Sequence, residues 1–343
     1  MHSVHEKINK SELHIFQDKS IDFCAIISLQ PYGRGPAIGG CRLLPYPTLD
    51  AAITDANRLA HAMSYKAAIS QLPHDGGKAV IMRSAYANHG TVLQRFSECV
   101  DSLNGRYITT IDSGTSQADM SIIKQYTPYV TGYLNDHCLE NNPAISTAWG
   151  VFKGIQAAVK LVEGKDTLNG LHVVIQGVGS VGYFLAKQLY QAGAQLTVCD
   201  IDSHRAERCF REFNATVVDT ADIYSVPCDI FSPCALGQII NSFTLTQFKT
   251  KIIAGAANDQ LSSPELAGQL SQRHILYVPD YLINAGGLIH LSLQQHHQTH
   301  EVIKKQVEQI AERILNLAFV AREQQKTLYE VTEIAAGRVL NLM

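Results

Sequence analysis

The sequence predicts an α/β protein of two domains, the second of them a doubly wound parallel sheet. Three observations lead there. At 343 residues the chain is longer than one hydrophobic core comfortably organises. At 171–200 a short apolar run, a glycine-rich turn, a helical stretch and a second apolar run follow one another without a break. Beyond them, short β-branched runs recur between helical or loop connections, the alternation from which parallel sheets are built.

Composition narrows the ligand before any motif does. A formal net charge of -3 offers no basic surface for nucleic acid or an anionic membrane, so a small-molecule ligand is expected. Residues 1–20 are polar and charged, and no later run approaches the length of a membrane span; neither secretion nor spanning is expected, and the protein reads as cytoplasmic. The 8 cysteines are scattered without close Cys/His spacing, which reads as reduced thiols rather than a disulfide framework or a metal site.

In chain order, residues 21–29 form an apolar, β-branched run and are expected to be a buried strand. The glycine-rich stretch 33–42 that follows, with Gly39 and Gly40, reads by itself as a hairpin turn. From Thr48, a candidate N-cap, Ala52, Ala56, Leu59, Met63 and Ala67 recur at helical spacing, which places Lys66 near the end of an otherwise apolar helix. Its ammonium either snorkels to solvent or meets an anion. Gly76 and Gly77 then read as a turn that presents Lys78 as a strand begins. Two lysines flanking one turn suggest a carboxylate-bearing substrate. A helix is expected over 86–103 and a strand over 106–110, running into Asp112. Alone, Asp112 would be an N-cap; beside two lysines it becomes a candidate acid/base.

A long helix begins around Thr147 and runs to about Glu163. The strand at 171–176 then leads directly into Gly177-Val178-Gly179-Ser180-Val181-Gly182 and a helix to about 192. That is G-x-G-x-x-G in the context it requires: Gly177 for the turn, Gly179 for close approach of a pyrophosphate, Gly182 for helix packing, with the phosphates on the helix N-terminus at Ser180 and Val181. The next strand, 195–199, ends in Asp200, about twenty residues on, where an acid binds the ribose 2′-hydroxyl and repels a 2′-phosphate. NAD is expected over NADP, with Arg205 as the residue that softens the preference. Strands are expected at 215–218, 229–232, 252–255 and 275–278. Ligands of such sheets lie beyond the carboxyl ends of the strands, which singles out 233–237 with Cys234 and Ala235, 256–259 with Ala256 and Asn258, and 279–287 with Asn284. A further helix is expected over 301–324 and another over 329–343, the tail crossing back onto the first domain.

Over nearly its whole length the chain resembles the Glu/Leu/Phe/Val dehydrogenase superfamily, and leucine dehydrogenase most. The matching stretches are 35–42 (GPAIGGCR), 63–68 (MSYKAA), 76–81 (GGKAVI), 112–115 (DSGT), 228–237 (CDIFSPCALG) and 279–287 (PDYLINAGG). The resemblance implies a substrate and oligomerisation domain at 1–140, joined by 322–343, a Rossmann NAD-binding domain at 141–321, an active site in the cleft between them, and a homo-oligomer.

It also implies reversible oxidative deamination, in which an L-amino acid, NAD and water give a 2-oxo acid, ammonium and NADH. By motif, Lys66 would bind the substrate carboxylate and Lys78, desolvated on closure, would activate water. Asp112 would shuttle the proton of the amino group. Gly39 and Gly40 would line the substrate's main-chain end, and Thr147, Asn258 and Asn284 would surround the nicotinamide and substrate. The side-chain pocket maps to Ile38, Met63, Thr110, Leu288 and Leu291, which favours an aliphatic group over a second carboxylate: an unpartnered buried carboxylate costs several kcal/mol, whereas one methylene changes binding by about 1–3 kcal/mol. A branched-chain substrate is expected, with phenylalanine or another apolar amino acid as the alternative. Two positions depart from the family pattern. Asp75 replaces the first of three glycines before the catalytic lysine, and Ile111 replaces an acid. Asp75, close to Lys78 in sequence, is the sole support for a second reading, an NAD-binding homologue impaired in catalysis. The family's asparagine pair is Asn258-Asp259 here, so either residue is a candidate for that role.

Overall fold

The computed structural model describes residues 2–8, 11–83, 87–133, 142–235 and 237–342, with the side chains of 2–8 left aside. Cys138, Leu236 and the expected helix start at Tyr86 lie outside these residues. The chain divides into two units, Met1–Asn141 with Ala336–Met343, and Asn142–Ala335. The tail that belongs with the first unit therefore starts at Ala336, later than the expected 322.

The first unit carries β1 (His2–Ile8), β2 (Ser11–Asp18), β3 (Phe23–Gln30), β4 (Ala37–Leu44), α1 (Leu49–Ile69), β5 (Asp75–Met82), α2 (His89–Asp101), β6 (Tyr107–Ile111) and α3 (Gln117–Ile123). Its mixed sheet runs β1-β2-β3-β5-β4-β6. The first three strands and β5 pair antiparallel, whereas β4 runs parallel to both β5 and β6. Strand periodicity sorts the side chains onto two faces. Cys41, Leu43, Ala79, Ile81 and Tyr107 join Leu93, Phe96 and Met120 of α2 and α3 in one core. Val80 and Ile26 pack on Ala52 and Ala56 of α1 on the other face.

Two expectations fail here. Gly39-Gly40 and Gly76-Gly77 were expected in turns, yet both pairs lie inside strands. They are glycine because neighbours crowd them. A side-chain carbon on Gly76 would lie 2.3 Å from the Ala60 carbonyl oxygen and from Ser64 of α1, and one on Gly77 would lie 2.8 Å from the Tyr107 ring. The strands at 2–8 and 11–18 were not expected at all. They form a hairpin at the sheet edge whose alternation is diluted by polar residues, though Leu13 and Phe16 are buried.

The second unit carries α4 (Pro143–Glu163), β7 (His172–Gln176), α5 (Ser180–Gln191), β8 (Gln195–Cys199), α6 (Ser203–Phe213), β9 (Thr216–Val217), β10 (Ile230–Pro233), α7 (Ser242–Leu245), β11 (Ile252–Ile253), α8 (Glu265–Gln272), β12 (Leu276–Tyr277), α9 (Asp280–Ile283), α10 (Gly286–Gln295) and α11 (His300–Glu323); α12 (Leu328–Val339) starts in the second unit, and its residues from Ala336 on belong to the first. All its strands are parallel, in the order β12-β11-β10-β7-β8-β9. The order reverses between β7 and β10, which is where a doubly wound sheet opens a crevice for its ligand. Helix α4 starts with sequence signals that its geometry uses: Asn142 caps it, Pro143 stands in its first turn, and Gly164 ends it in the left-handed region. Among the described residues, no helix is long and apolar enough to cross a membrane.

Candidate active site

On the α1 face of the first sheet, strand geometry assembles a charged group. Ile38 lies opposite Gly76 and Cys41 opposite Ala79 on β5, and Gly40 lies opposite Thr110 and Cys41 opposite Ile111 on β6. Lys78, Gly40, Arg42, Thr110 and Asp112 therefore fall on one face. Gly40 has no side chain to block the row. A carbon there would sit 2.7 Å from the Asp112 Cβ, so glycine keeps the carboxylate in place. Lys78 Nζ and Asp112 Oδ2 form a close ion pair, with Lys78 buried. The Arg42 Nε donates to the same oxygen at 3.2 Å.

Asp112 is not an N-cap. Its N–H donates to Thr115 Oγ1, and Ser116 caps α3 instead, through a capping box with Asp119. Burial alone would favour the neutral acid, but the charges of Lys78 and Arg42 outweigh it and hold the Asp112 carboxyl far below the usual carboxylate range. Thr110 is buried, and its hydroxyl has no hydrogen-bond partner among the described residues, a costly state that a bound polar ligand would relieve. Lys66 is buried near the end of α1, and Met63 one turn earlier is partly exposed. Ile38 is fully buried, and Gly39 abuts the Gly77 carbonyl.

Asp75, by contrast, lies on the opposite face of β5 from Lys78. Its carboxylate accepts the N–H groups of Gly33 at 3.0 Å and Arg34 at 3.3 Å, and burial raises its pKa.

In the second unit the glycine loop fits a dinucleotide. Gly177 has φ +88°, and Gly182 lies so near Gly177 that a side-chain carbon would sit 2.0 Å from its carbonyl oxygen. Above Gly179 the space is open, with only Arg205 Nη1 near, at 3.5 Å. Gly179 caps α5 without a side chain, so the backbone N–H groups of Ser180 and Val181 head the helix as a pyrophosphate requires. Asp200, just past β8, accepts from the Val178 N–H at 2.8 Å and the Asp202 N–H at 2.9 Å, which fixes its carboxylate beside the loop.

Cys234 follows β10, and its N–H donates to the Gln176 carbonyl at 2.7 Å; Ala235 is exposed beside Gly177, and Ala256 follows β11. Asn284 donates to the Asn258 side-chain oxygen at 2.9 Å and the Ala256 carbonyl at 3.0 Å. The buried Asn284 Oδ1 has no partner among the described residues. The Asp259 carboxylate is turned instead to Gln238, at 3.1 Å. Thr147 lies in the first turns of α4, where Gly286 and Gly287 let α10 pack against Ser146 and Thr147. Leu288 and Leu291 are buried on α10.

Sequence reasoning missed Arg42. Its signal becomes readable once 37–44 is a strand, because period two then puts residues 38, 40 and 42 on the lysine's face.

Comparison with known proteins agrees across the chain. Residues 5–129 match the Glu/Leu/Phe/Val dehydrogenase dimerisation domain, and residues 197–343 match the Glutamate/Leucine/Phenylalanine/Valine dehydrogenase domain. The leucine dehydrogenase of Geobacillus stearothermophilus is 42% identical over 94% of this chain and 87% of its own. An L-tryptophan dehydrogenase of Nostoc punctiforme is also 42% identical, over 94% of this chain and 91% of its own. The crystal structure of L-tryptophan dehydrogenase from Nostoc punctiforme superposes with a TM-score of 0.79 at 39% identity, covering 98% of this chain and 96% of that one. This chain belongs to the Glu/Leu/Phe/Val dehydrogenase family and is an NAD-dependent amino acid dehydrogenase, an oxidoreductase that acts on a CH–NH2 group of a small molecule.

Proposed function

We propose that the enzyme catalyses reversible oxidative deamination of a branched-chain, leucine-like L-amino acid to its 2-oxo acid and ammonium. The observation that carries the chemistry is the Lys78–Asp112 pair on one sheet face, its lysine buried and its aspartate largely so. Deamination needs a group that takes a proton from water and a group that exchanges one with the departing nitrogen. Lys78 serves the first need and Asp112 the second. Lys66 receives the substrate carboxylate, which offsets the cost of a buried ammonium on α1. Thr110 and the backbone at Gly39 and Gly40 line the same end of the substrate.

NAD, held by the loop of Gly177, Gly179, Ser180, Val181 and Gly182 and by Asp200, supplies the hydride acceptor when bound. Thr147, Cys234, Ala235, Ala256, Asn258 and Asn284 belong to its nicotinamide end. Asn258 takes the asparagine role rather than Asp259, because it meets Asn284. The apolar set Ile38, Met63, Leu288 and Leu291 supports an aliphatic side chain, since none of these residues offers a cation to a second carboxylate. The family model's dimerisation domain supports a homo-oligomer, and the net charge of -3 fits a small-molecule substrate rather than nucleic acid.

The test is NADH formation across a panel of L-amino acids. Leucine, valine and isoleucine are expected to lead. A lead by tryptophan or phenylalanine would replace the aliphatic reading with an aromatic one, while turnover by none would overturn the activity. Lys78→Ala is expected to lower kcat by about 10²–10⁴-fold with substrate binding partly kept. Full activity in that variant would remove Lys78 from the base role.

A further inference from the structure

Arg42 is a second cation on Asp112, and nothing in the reaction as described uses it. Its Nε reaches Asp112 Oδ2 at 3.2 Å, the oxygen that also holds Lys78. Its Nη1 reaches Asp55 Oδ2 at 2.8 Å on α1, where Tyr46 donates at 2.6 Å and Arg58 holds the other oxygen, also at 2.6 Å. The guanidinium thus has one edge on the reacting carboxylate and another on an anchor built from three side chains. A planar fork fixed at both ends cannot swing away as a lysine can.

The chemistry gives this a purpose. When Lys78 works as a base it is neutral, and Asp112 loses a positive charge that its largely buried position needs. Resting on the reading of Lys78 and Asp112 as the proton-handling pair, we infer that Arg42 is a positioning residue whose permanent charge keeps Asp112 ionised and aimed at Lys78 through the part of the cycle in which that lysine carries no proton. Arg42 touches no reacting atom. It acts only through Asp112.

Other groups around the carboxylate do not supply this charge. Cys41 on β4 and Tyr107 on β6 are buried and kept neutral, each pushed far above its ordinary pKa chiefly by burial. Asp119 on α3 is negative and paired with His89. On β5 there is Lys78 itself, and on α1 Asp55 and Arg58 are engaged with each other as well as with the anchor. Among these described neighbours Arg42 is the cation in contact with Asp112 that persists when Lys78 is neutral.

The experiment is the pH profile of kcat and kcat/KM for the full-length enzyme with its best amino acid and NAD, in wild type, Arg42→Gln, Arg42→Lys and Asp55→Asn. The acid limb reports the Lys78–Asp112 pair as a unit. Removing a cation in contact with the pair favours its protonated forms, so in Arg42→Gln the limb is expected to move to higher pH by about one unit, with about a tenfold loss of kcat below the limb. Arg42→Lys keeps the charge but not the two-ended hold, and its limb is expected to lie between those of wild type and Arg42→Gln. An Arg42→Gln limb that coincides with wild type, or an Arg42→Lys limb displaced as far as that of Arg42→Gln, overturns the inference, because a purely structural arginine would cost rate without moving the titration. Should Arg42→Gln fail to fold by circular dichroism, Asp55→Asn decides: a guanidinium released from its anchor holds Asp112 less firmly, so the limb should move to higher pH as in Arg42→Gln, and a limb that is unmoved or moves to lower pH overturns the positioning role. A wild type inactive with every amino acid would instead sink the dehydrogenase chemistry on which the inference stands, and that outcome is distinct from an active wild type with unmoved limbs in its variants.

Discussion

Asp75 stands where the family pattern has glycine, and strand geometry decides what it does. Asp75 and Lys78 project from opposite faces of β5, and the carboxylate is spent on the Gly33 and Arg34 N–H groups of the loop before β4. It is a turn-holding acid, not a neighbour of the Lys78 ammonium. This removes the one sequence observation that favoured an impaired enzyme. Asp75→Gly is therefore expected to leave kcat within about twofold and to cost about 1–3 kcal/mol of stability, because two loop amides lose their acceptor. Steady-state rates and urea denaturation measure both. A gain of tenfold or more in kcat would show that Asp75 opposes Lys78 after all.

At the scale of elements, close approach of backbone to backbone governs the first sheet. Helix α1 reaches β5 only because Gly76 has no side chain, and Ala52, Ala56 and Ala60 keep the facing surface of the helix small. Gly76→Ala would set a methyl 2.3 Å from the Ala60 carbonyl and Ser64. Neither neighbour is a flexible side-chain end, so the helix must shift. A loss of about 2–4 kcal/mol is expected, read from the urea midpoint, and a variant as stable as wild type would show that α1 is not held at that contact.

The same geometry explains what could be read from the sequence. The unit of β7, glycine loop, α5, β8 and Asp200 was legible because every part lies within one contiguous stretch and each glycine answers a local demand. In the first domain Gly39, Gly40, Gly76 and Gly77 looked like turns, since the groups that require them, the Tyr107 ring, the α1 backbone and the Asp112 side chain, come from distant parts of the chain. Lys66, Lys78 and Asp112 were found by motif. Arg42 was not, because its meaning depends on strand register that no local pattern encodes.

For the whole molecule, acid sensitivity should begin with a histidine rather than with the carboxylates. His290 on α10 is fully buried, shares a 2.7 Å hydrogen bond between its Nδ1 and Ser146 Oγ on α4, and has an Nε2 without a partner among the described residues. Burial lowers its pKa from 6.5 to about 4. The unfolded chain therefore binds a proton that the folded protein refuses between those pH values, so stability is fully present above 6.5 and falls as pH drops toward 4. The loss amounts to about 3 kcal/mol when complete. Carboxylates held low by partners, such as Asp112 and Asp55, start to cost stability only nearer their ordinary value of 3.8, below most of this window. His61 is shifted in the same direction by burial but is exposed at the surface of α1, so its share is smaller. Urea midpoints between pH 7 and pH 4.5 should fall in wild type and stay nearly level in His290→Gln, whose neutral side chain has no proton to take up. Parallel slopes in the two proteins would show that His290 is not the group that sets the onset of acid unfolding.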